Sequence, residues 1–595
     1  MNSLPMRSEL NQKELWDLSL LYANQQEFEE AIQAYLFNLD EIIKYRGKLG
    51  QAENLYQVLV LYESMLEEYS KIWHYGSLGY EVDRKNQRYE HNVAQVEKLA
   101  DRSGEILSFI LVEIAGLDHS YLVNFMNSEQ GKDFQHYIEE ILYQKKNILS
   151  LEMEELLKGI NSQLFNQYRL YTTMMYQDLK FDSFEVNGKT YPNTFAEFEG
   201  EYEAHSDPAI RKAAWESFHN GLSAYQFTAA NNYISHVQTE KQISKIRGFD
   251  SVIDYLLFEQ KVNRKAYDQQ IDVIMKELSP VMQRYATILQ ENHELESMSL
   301  ADIKTPFYNK NIQSISIAES RRMIEEAVSV LGDEYLEIVQ KAFDQRWIDY
   351  PMNQSKTTGG FCSTVYQGPA YILLNWTGLL NEVLVLAHEL GHAAHFCLSY
   401  KNQLALTPSP SMYFVEAPST ANEVIMCQYL MKQDIDETVK KSLIAEFISR
   451  TYFHNMVTHL LEAHFQRKVY QAIDDEQLLN AETLNQFFYD TLKEFWGDKV
   501  TINPGAELTW MRQPHYFMGL YSYTYSAGLT IGTQVGNKIA SGDQDTINKW
   551  LQVLEAGGSM GPLELAKAVG VDMEKTDALR ETIDYVQTLV DQLAK

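Results

Sequence analysis

The sequence predicts a mainly helical fold with more than one lobe and a few short strands. Apolar residues recur three and four positions apart in residues 26–44, 53–69, 93–116 and 266–292, a spacing typical of helices that bury one face. The chain has 595 residues and a mass of 68.9 kDa, which exceeds the usual size of one compact domain. We therefore expect at least two helical lobes.

The first interruption of the helical pattern lies near residue 190. The pair Asn187-Gly188 is typical of a tight hairpin turn between two short strands, and an acidic stretch follows it. We place the domain division here, between an N-terminal helical lobe, residues 1–195, and a second region, residues 196–595, that holds the chemical motifs described below.

The second interruption lies just before those motifs. Gly359-Gly360 precedes the run FCSTVY, and Gly368-Pro369 precedes the run YILLNW. Both runs are rich in β-branched and aromatic residues and are bounded by turn residues. The sequence therefore predicts two short strands, which belong to a small sheet.

Composition and charge exclude several classes of function. A formal net charge of −31 and a pI near 4.9 argue against a nucleic-acid partner, because phosphate binding requires clustered Lys and Arg. No apolar run approaches the roughly 20 residues of a membrane helix, and the N-terminus lacks the pattern of an export signal. The odd set Cys362, Cys397 and Cys427 predicts neither a disulfide framework nor a thiolate metal site. We expect a cytoplasmic location and no membrane partner.

The main chemical signal is the run HELGH in residues 388–392. On a helix, His388 and His392 lie about 40° apart on one face, so both imidazoles can reach one metal ion. Glu389 lies beside them, where a carboxylate can act as general base on a metal-bound water. With 15 His and 82 Asp plus Glu, His-acid-x-x-His is expected by chance at most about 0.05 times. The alternative is a core helix with two hydrogen-bonded histidines.

A catalytic zinc usually takes three protein ligands, so a third ligand is needed. The extended His-x-x-Gly-x-x-His form fails, since His395 and Leu398 occupy the Gly and third His positions. Glu416 and Glu423, seven residues apart, share a face of a second helix, so that one can ligate while the other braces a ligand. Two solvated carboxylates are the alternative. His395 fits a packed core residue better than a fourth ligand.

Residues 509–529 supply candidate donors for the oxyanion of a tetrahedral intermediate. They are aromatic-rich, with His515, Tyr516, Tyr521, Tyr523 and Tyr525. Tyr516 and Tyr523 are seven residues apart, so they share a face if the stretch is helical. The alternative is an aromatic stripe that belongs to the core.

The ordered set of motifs resembles a known family. HELGH, FVEAPS, PHYFMGLYSYTYSAG and LEAGGSMGPLELAKAVGVD, with WDLSLLY, SDPAIRKAAWE and TTGGFCS, are similar to the oligoendopeptidase F group of the M3, or thimet-oligopeptidase-like, metallopeptidases. The resemblance covers nearly the whole chain. It implies a helical, clam-like molecule of two lobes around a deep groove, with a small sheet near the zinc helix, and a preference for short peptides.

The resemblance also assigns roles by motif position. It implies one zinc held by His388, His392 and Glu416, Glu389 as general base on zinc-bound water, and Glu423 as the brace. It places the transition-state tyrosines at Tyr516 and Tyr523 and a substrate-side histidine at His515. With the two-strand prediction, it suggests that YILLNW adds the extended substrate as a strand.

The implied activity is hydrolysis of internal bonds in oligopeptides. A zinc carboxypeptidase or dipeptidyl-carboxypeptidase of related helical fold is one alternative. A non-catalytic peptide-binding protein is the other.

Overall fold

The computed structural model describes residues 4–307 and 314–595, and most of them are helical, which confirms the predicted fold class. They form two compact units that interleave along the chain. The first unit comprises Met1–Leu164, Ile315–Pro410 and Asn548–Gly561, and the second comprises Phe165–Ser314, Ser411–Ile547 and Pro562–Lys595. The position 195/196 lies inside the second unit, and a domain division there stays a prediction.

The first unit is built mainly from long amphipathic helices. Its helices are α1 (Gln25–Ile42), α2 (Ala52–Val82), α3 (Gln87–Gly116), α4 (His119–Met126), α5 (Gln135–Gln144), α6 (Leu151–Gly159), α7 (Asn161–Leu164), α15 (Ile317–Val328), α16 (Asp333–Asp344) and α17 (Leu380–Asn402). The periodic segments 26–44, 53–69 and 93–116 are α1, α2 and α3, as predicted, although α2 continues to Val82. Their apolar faces meet in a core that includes Phe28, Ile72 and Val96.

A three-stranded sheet in the first unit precedes α17. Its strands are β3 (Ile348–Asp349), β4 (Phe361–Thr364) and β5 (Ala370–Leu373), so the two predicted strands are confirmed. β5 lies in the middle, parallel to β3 and antiparallel to β4, with Cys362 opposite Ile372. The suggestion that YILLNW pairs with a substrate is therefore wrong for β5, because both of its edges already bond to neighbouring strands. β4 forms an edge of the sheet.

The second unit is also mainly helical. Its elements are α8 (Gln167–Thr173), β1 (Phe184–Val186), β2 (Lys189–Tyr191), α9 (Phe195–Glu197), α10 (Pro208–Ser223), α11 (Gln226–Ile246), α12 (Val252–Gln260), α13 (Arg264–Val273), α14 (Ser279–Asn292), α18 (Glu416–Met431), α19 (Glu437–Phe447), α20 (His459–Asp474), α21 (Ala481–Trp496), α22 (Ser522–Ala540), α24 (Pro562–Ala568) and α25 (Asp577–Leu593). Helix α23 (Gln544–Ala556) begins in the residue range of the second unit and ends in that of the first.

Two local predictions in the second unit can be compared directly. The hairpin of β1 and β2 is confirmed, and its turn residues Asn187 and Gly188 have φ of 54° and 76°. The segment 266–292 forms two helices instead of one, joined by the π-helical turn Ile274–Leu278. Pro280 explains the interruption, because it has no N–H for a helical hydrogen bond and stands in the first turn of α14.

Helices α18 and α22 pack closely because α22 carries glycine at every fourth position on the contact face. A Cβ built at Gly528 would lie 2.5 Å from Cβ of Glu416, and one built at Gly536 would lie 2.8 Å from Cβ of Val424. Gly532 makes the same kind of approach to Thr420. This glycine stripe lets the α22 backbone approach α18 closely from Glu416 to Val424.

No single helix among the described residues has both the length and the hydropathy of a membrane span. Helices α3 and α4 pass that test as a pair, but the chain bends by 104° between them.

Candidate active site

His388 and His392 lie one turn apart on α17, with ring centroids 4.9 Å apart and ring planes at 81°. The helix begins at Leu380 because Glu382 caps it: its carboxylate accepts hydrogen bonds from the backbone N–H groups of Thr377 (2.5 Å) and Gly378 (2.9 Å). The two imidazoles are therefore carried by one regular, well-capped helix. This is the arrangement that the HELGH spacing predicts.

Glu389 is buried on the same helix and lies near the sheet of the first unit. A Cβ built at Gly360 would lie 3.4 Å from Oε1 of Glu389 and 3.3 Å from the carbonyl oxygen of Leu373. The Glu389 carboxylate therefore lies beside the backbone at the start of β4. Burial raises the pKa of the nearby Cys362 thiol, and the charge of Glu389 adds to the rise.

His395 lies two turns after His388 and is fully buried. Burial lowers the pKa of His395 to about 3, and His392 adds to the effect, so its imidazole is neutral. It occupies the interior of the first unit, where a packed core histidine is expected.

Glu416 begins α18 in the second unit and is 3% exposed. Its Oε1 accepts a hydrogen bond from the Tyr521 hydroxyl (2.9 Å), and its Oε2 accepts one from Oγ of Ser419 (3.1 Å). Glu423 is also buried, two turns further along α18, and accepts a hydrogen bond from the hydroxyl of Thr451. The alternative of two solvated carboxylates is therefore wrong.

The aromatic segment does not form one helix. Tyr516 lies in the 3₁₀ turn Pro514–Phe517, the chain then bends at Gly519 with φ of 65°, and Tyr523 lies in the first turn of α22. No single helix runs through Tyr516 and Tyr523, so the condition under which they would share a face is not met.

The two tyrosines have different surroundings. The ring of Tyr516 packs against Tyr233 and Phe465, with centroids 5.3 Å and 5.4 Å away, and its buried hydroxyl has no hydrogen-bond partner among the described residues. The Tyr523 hydroxyl donates to Oε1 of Gln260 (2.5 Å). Burial raises the pKa of both phenols well above the usual value, so both keep the proton that an oxyanion donor needs.

His515 precedes Tyr516 in the same 3₁₀ turn, and its side chain is 15% exposed. Its Nδ1 lies 3.5 Å from Oε2 of Glu462, and its Nε2 lies 3.4 Å from the Tyr525 hydroxyl. The ring of His515 lies 5.3 Å from that of Tyr521, which bonds to Glu416. His515 is thus connected, through aromatic side chains, to a predicted metal ligand.

Comparison with known families identifies the chain. The profile of peptidase family M3 matches residues 202–585, which is more than half of the sequence. The chain belongs to peptidase family M3. A second profile, described as oligopeptidase F, matches residues 113–181 of this M3 peptidase. The resemblance to the oligoendopeptidase F group is therefore confirmed, and the chain is a metallo-oligopeptidase.

Relatives of this M3 peptidase match along nearly their whole length. The oligoendopeptidase F homolog of Borreliella burgdorferi is 28% identical over 99% of each chain. Oligopeptidase PepF of Bacillus subtilis is 24% identical over 100% of this chain and 88% of its own. The crystal structure of oligoendopeptidase-F from Enterococcus faecium has a TM-score of 0.76 at 21% identity and covers 96% of this chain and 98% of its own, which shows the shared fold.

Two side-chain contacts in this M3 peptidase were not predicted from the sequence. Tyr521 was one of several tyrosines in the aromatic segment, and nothing in its spacing indicated that its hydroxyl bonds to Glu416. Gln260 ends α12, more than 250 positions before its partner Tyr523. Short-range periodicity does not predict contacts between residues so far apart in the sequence. The tyrosine-rich composition of residues 509–529 did indicate that this segment contributes hydroxyl groups to the site.

Proposed function

We propose that this M3 peptidase is a zinc-dependent endopeptidase that hydrolyses internal bonds of short oligopeptides. The main support for the proposal is the arrangement on α17, where His388 and His392 lie one turn apart with buried Glu389 between them. The names of the relatives, oligopeptidase and oligoendopeptidase F, support the substrate class.

The residues that would hold the metal are His388, His392 and Glu416. Two imidazoles and one carboxylate are a ligand set typical of catalytic zinc, which leaves a further coordination position open. Glu416 is a buried carboxylate, and such a group is stable when its charge is compensated. When bound, zinc supplies positive charge that polarises the scissile carbonyl and lowers the pKa of water. Glu423 is proposed as the brace on α18.

Glu389 is proposed as the general base. Its carboxylate takes a proton from the attacking water at one Oε atom and delivers that proton to the nitrogen of the leaving amine. Its burial beside β4 supports the role, because exclusion of bulk water strengthens the electrostatic interactions between the carboxylate and the reacting groups.

The β4 edge is proposed to bind the substrate backbone. β4 pairs with β5 on one side only, so its other edge offers N–H and C=O groups to an extended peptide. Main-chain pairing of this kind involves few substrate side chains, which fits a broad sequence preference.

Tyr516 and Tyr523 are proposed as oxyanion donors and His515 as a substrate-side residue, as the family resemblance implies.

The experiment uses one decapeptide in two forms, free and blocked by N-terminal acetylation and C-terminal amidation. Mass spectrometry of the products identifies the cleaved bonds, with and without a chelator, and elemental analysis identifies the metal. We expect internal cleavage of both forms that the chelator abolishes and that Zn²⁺ restores. Cleavage of the free form alone, from its C-terminus, would instead support the carboxypeptidase alternative.

The odd set of three cysteines supports a cytoplasmic location, which cell fractionation tests.

A further inference from the structure

A second group of metal-ligand side chains lies within the second unit. His459 and Glu462 occupy the first turn of α20, and His515 comes from the turn Pro514–Phe517. One nitrogen from each histidine and one carboxylate oxygen of Glu462 lie within 4.8 Å of one another. Nδ1 of His459 lies 2.8 Å and Nδ1 of His515 lies 3.5 Å from Oε2 of Glu462. Ligands of a tetrahedral zinc are about 3.3 Å apart, so small side-chain shifts bring these atoms to bonding positions.

Each of these three side chains is held from outside by a further polar group. Nε2 of His459 lies 3.1 Å from Nε2 of His454, and Nε2 of His515 lies 3.4 Å from the Tyr525 hydroxyl. The Ser522 hydroxyl donates to Glu462 across 3.1 Å. Metal-ligating histidines and carboxylates typically have outer partners of this kind, which fix the ring orientation and the tautomer.

The carboxylate of Glu462 is an incompletely compensated buried charge. Glu462 is 2% exposed, and its Oε1 has no hydrogen-bond partner among the described residues, whereas its Oε2 receives all three contacts.

His454, an outer partner of the group, contacts solvent. His454 is exposed, whereas His459 and Glu462 are buried. The π-helical turn His454–Thr458 precedes α20, and its i to i+5 geometry places His454 beside His459. His454 is therefore the solvent-accessible neighbour of the buried His459.

We propose that His459, Glu462 and His515 form a second divalent-cation site that takes Zn²⁺, in addition to the ion held by His388, His392 and Glu416. Two imidazoles and one carboxylate suit zinc better than the oxygen-preferring Mg²⁺ or Ca²⁺. Because His515 then ligates, filling this site inhibits the peptidase. The inhibition, unlike the binding, rests on the proposed function.

The first test measures zinc bound to the full chain by elemental analysis after dialysis at increasing free Zn²⁺. We expect two zinc ions per wild-type chain, one for Glu462→Gln and one for His388→Ala. His464→Asn is the matched control, since His464 lies on the same helix but pairs with Glu494 at 2.9 Å, and it should keep both ions.

The outcomes separate this proposal from the proposed function. If the wild type binds one zinc and Glu462→Gln binds it equally well, the second site does not exist, and the catalytic zinc site is unaffected. If the wild type binds one zinc that is lost in Glu462→Gln and retained in His388→Ala, the assignment of His388, His392 and Glu416 as the zinc ligands is wrong instead. His515→Asn provides a second variant if Glu462→Gln does not fold, and the visible spectrum of wild-type enzyme titrated with Co²⁺ shows one or two coordination steps without any substitution.

The second test measures activity against free Zn²⁺. We expect the wild type to lose activity as the second equivalent binds, and Glu462→Gln to show the same relative activity at low and high zinc. Inhibition of equal depth in both proteins would overturn the inhibitory role.

Discussion

The Tyr521 hydroxyl donates a hydrogen bond to Oε1 of Glu416 across 2.9 Å, deep in the second unit. A hydrogen bond to a buried carboxylate orients it, and loss of such an outer partner typically weakens metal binding by about 10- to 100-fold. We predict a loss of this size in zinc affinity for Tyr521→Phe, measured by competition with a chelator. Tyr285→Phe, a buried tyrosine on α14, is the control. Equal affinities for Tyr521→Phe and wild type would contradict the orienting role.

Glu389→Gln should retain zinc and lose hydrolysis. The amide keeps the size of the side chain but does not accept the proton, and general-base catalysis contributes about 10²- to 10⁴-fold. Elemental analysis and the rate of peptide cleavage test the two halves of the prediction. Full activity with normal zinc content would show that Glu389 is not the base.

Glu416→Ala and Glu423→Ala should differ in zinc content. Glu416 is the proposed ligand, so its removal should abolish stoichiometric zinc, whereas removal of the brace Glu423 should weaken binding and leave zinc present at saturation. Elemental analysis at several free-zinc concentrations distinguishes the two. If Glu423→Ala alone abolishes binding, the two assignments are reversed.

Tyr523→Phe should lower kcat by about 10²- to 10³-fold with little change in KM, as expected when one oxyanion donor is lost. Tyr267→Phe is the matched control, because the Tyr267 ring packs against Tyr523 at 4.9 Å and is buried in the same region. An unchanged kcat in Tyr523→Phe would argue against the donor role and would leave its bond to Gln260 as a structural contact.

The unfolding free energy should fall in acid because of Glu203. Burial alone would raise the pKa of this carboxyl, but Arg512 (3.0 Å) and Lys304 (2.6 Å) hold it below the ordinary value of 4.5. A lowered pKa in the folded state stabilises the protein above pH 4.5, and this contribution is lost as the pH falls below that value.

Chemical denaturation of Glu203→Gln at several pH values checks this prediction. The variant should be less stable than wild type near neutral pH, and the difference should shrink in acid. Glu201→Gln, at an exposed position two residues earlier, is the control. A stability difference that does not change with pH would show that the ionised carboxylate is not the cause.

Local patterns predicted the helices and the histidine pair well, because both depend on contacts between residues three to five apart. The helix spacing of His388 and His392 is of this kind. Strand order is not, and β3 was not predicted, so β5 could not be recognised from the sequence as the central strand.

The parts of the site that sequence reasoning missed depend on contacts across long stretches of chain. Spacing alone left Glu416 and Glu423 equivalent, and the structure shows both buried on α18. Tyr516 and Tyr523 do not share a helix face, because the chain bends at Gly519 between them. A single glycine in an aromatic run does not by itself predict a bend, because its φ is not known from the sequence.

The glycine stripe of α22 limits how this enzyme can be engineered. Replacing a helical glycine with alanine is a common route to thermostability and contributes about 1 kcal/mol where space allows. At Gly528 the new methyl group would overlap the backbone of Glu416, so the substitution would push away the very residue proposed to hold zinc. Gly104 on α3 offers the safer position, since a Cβ there would meet that of Lys158 at an ordinary 3.6 Å.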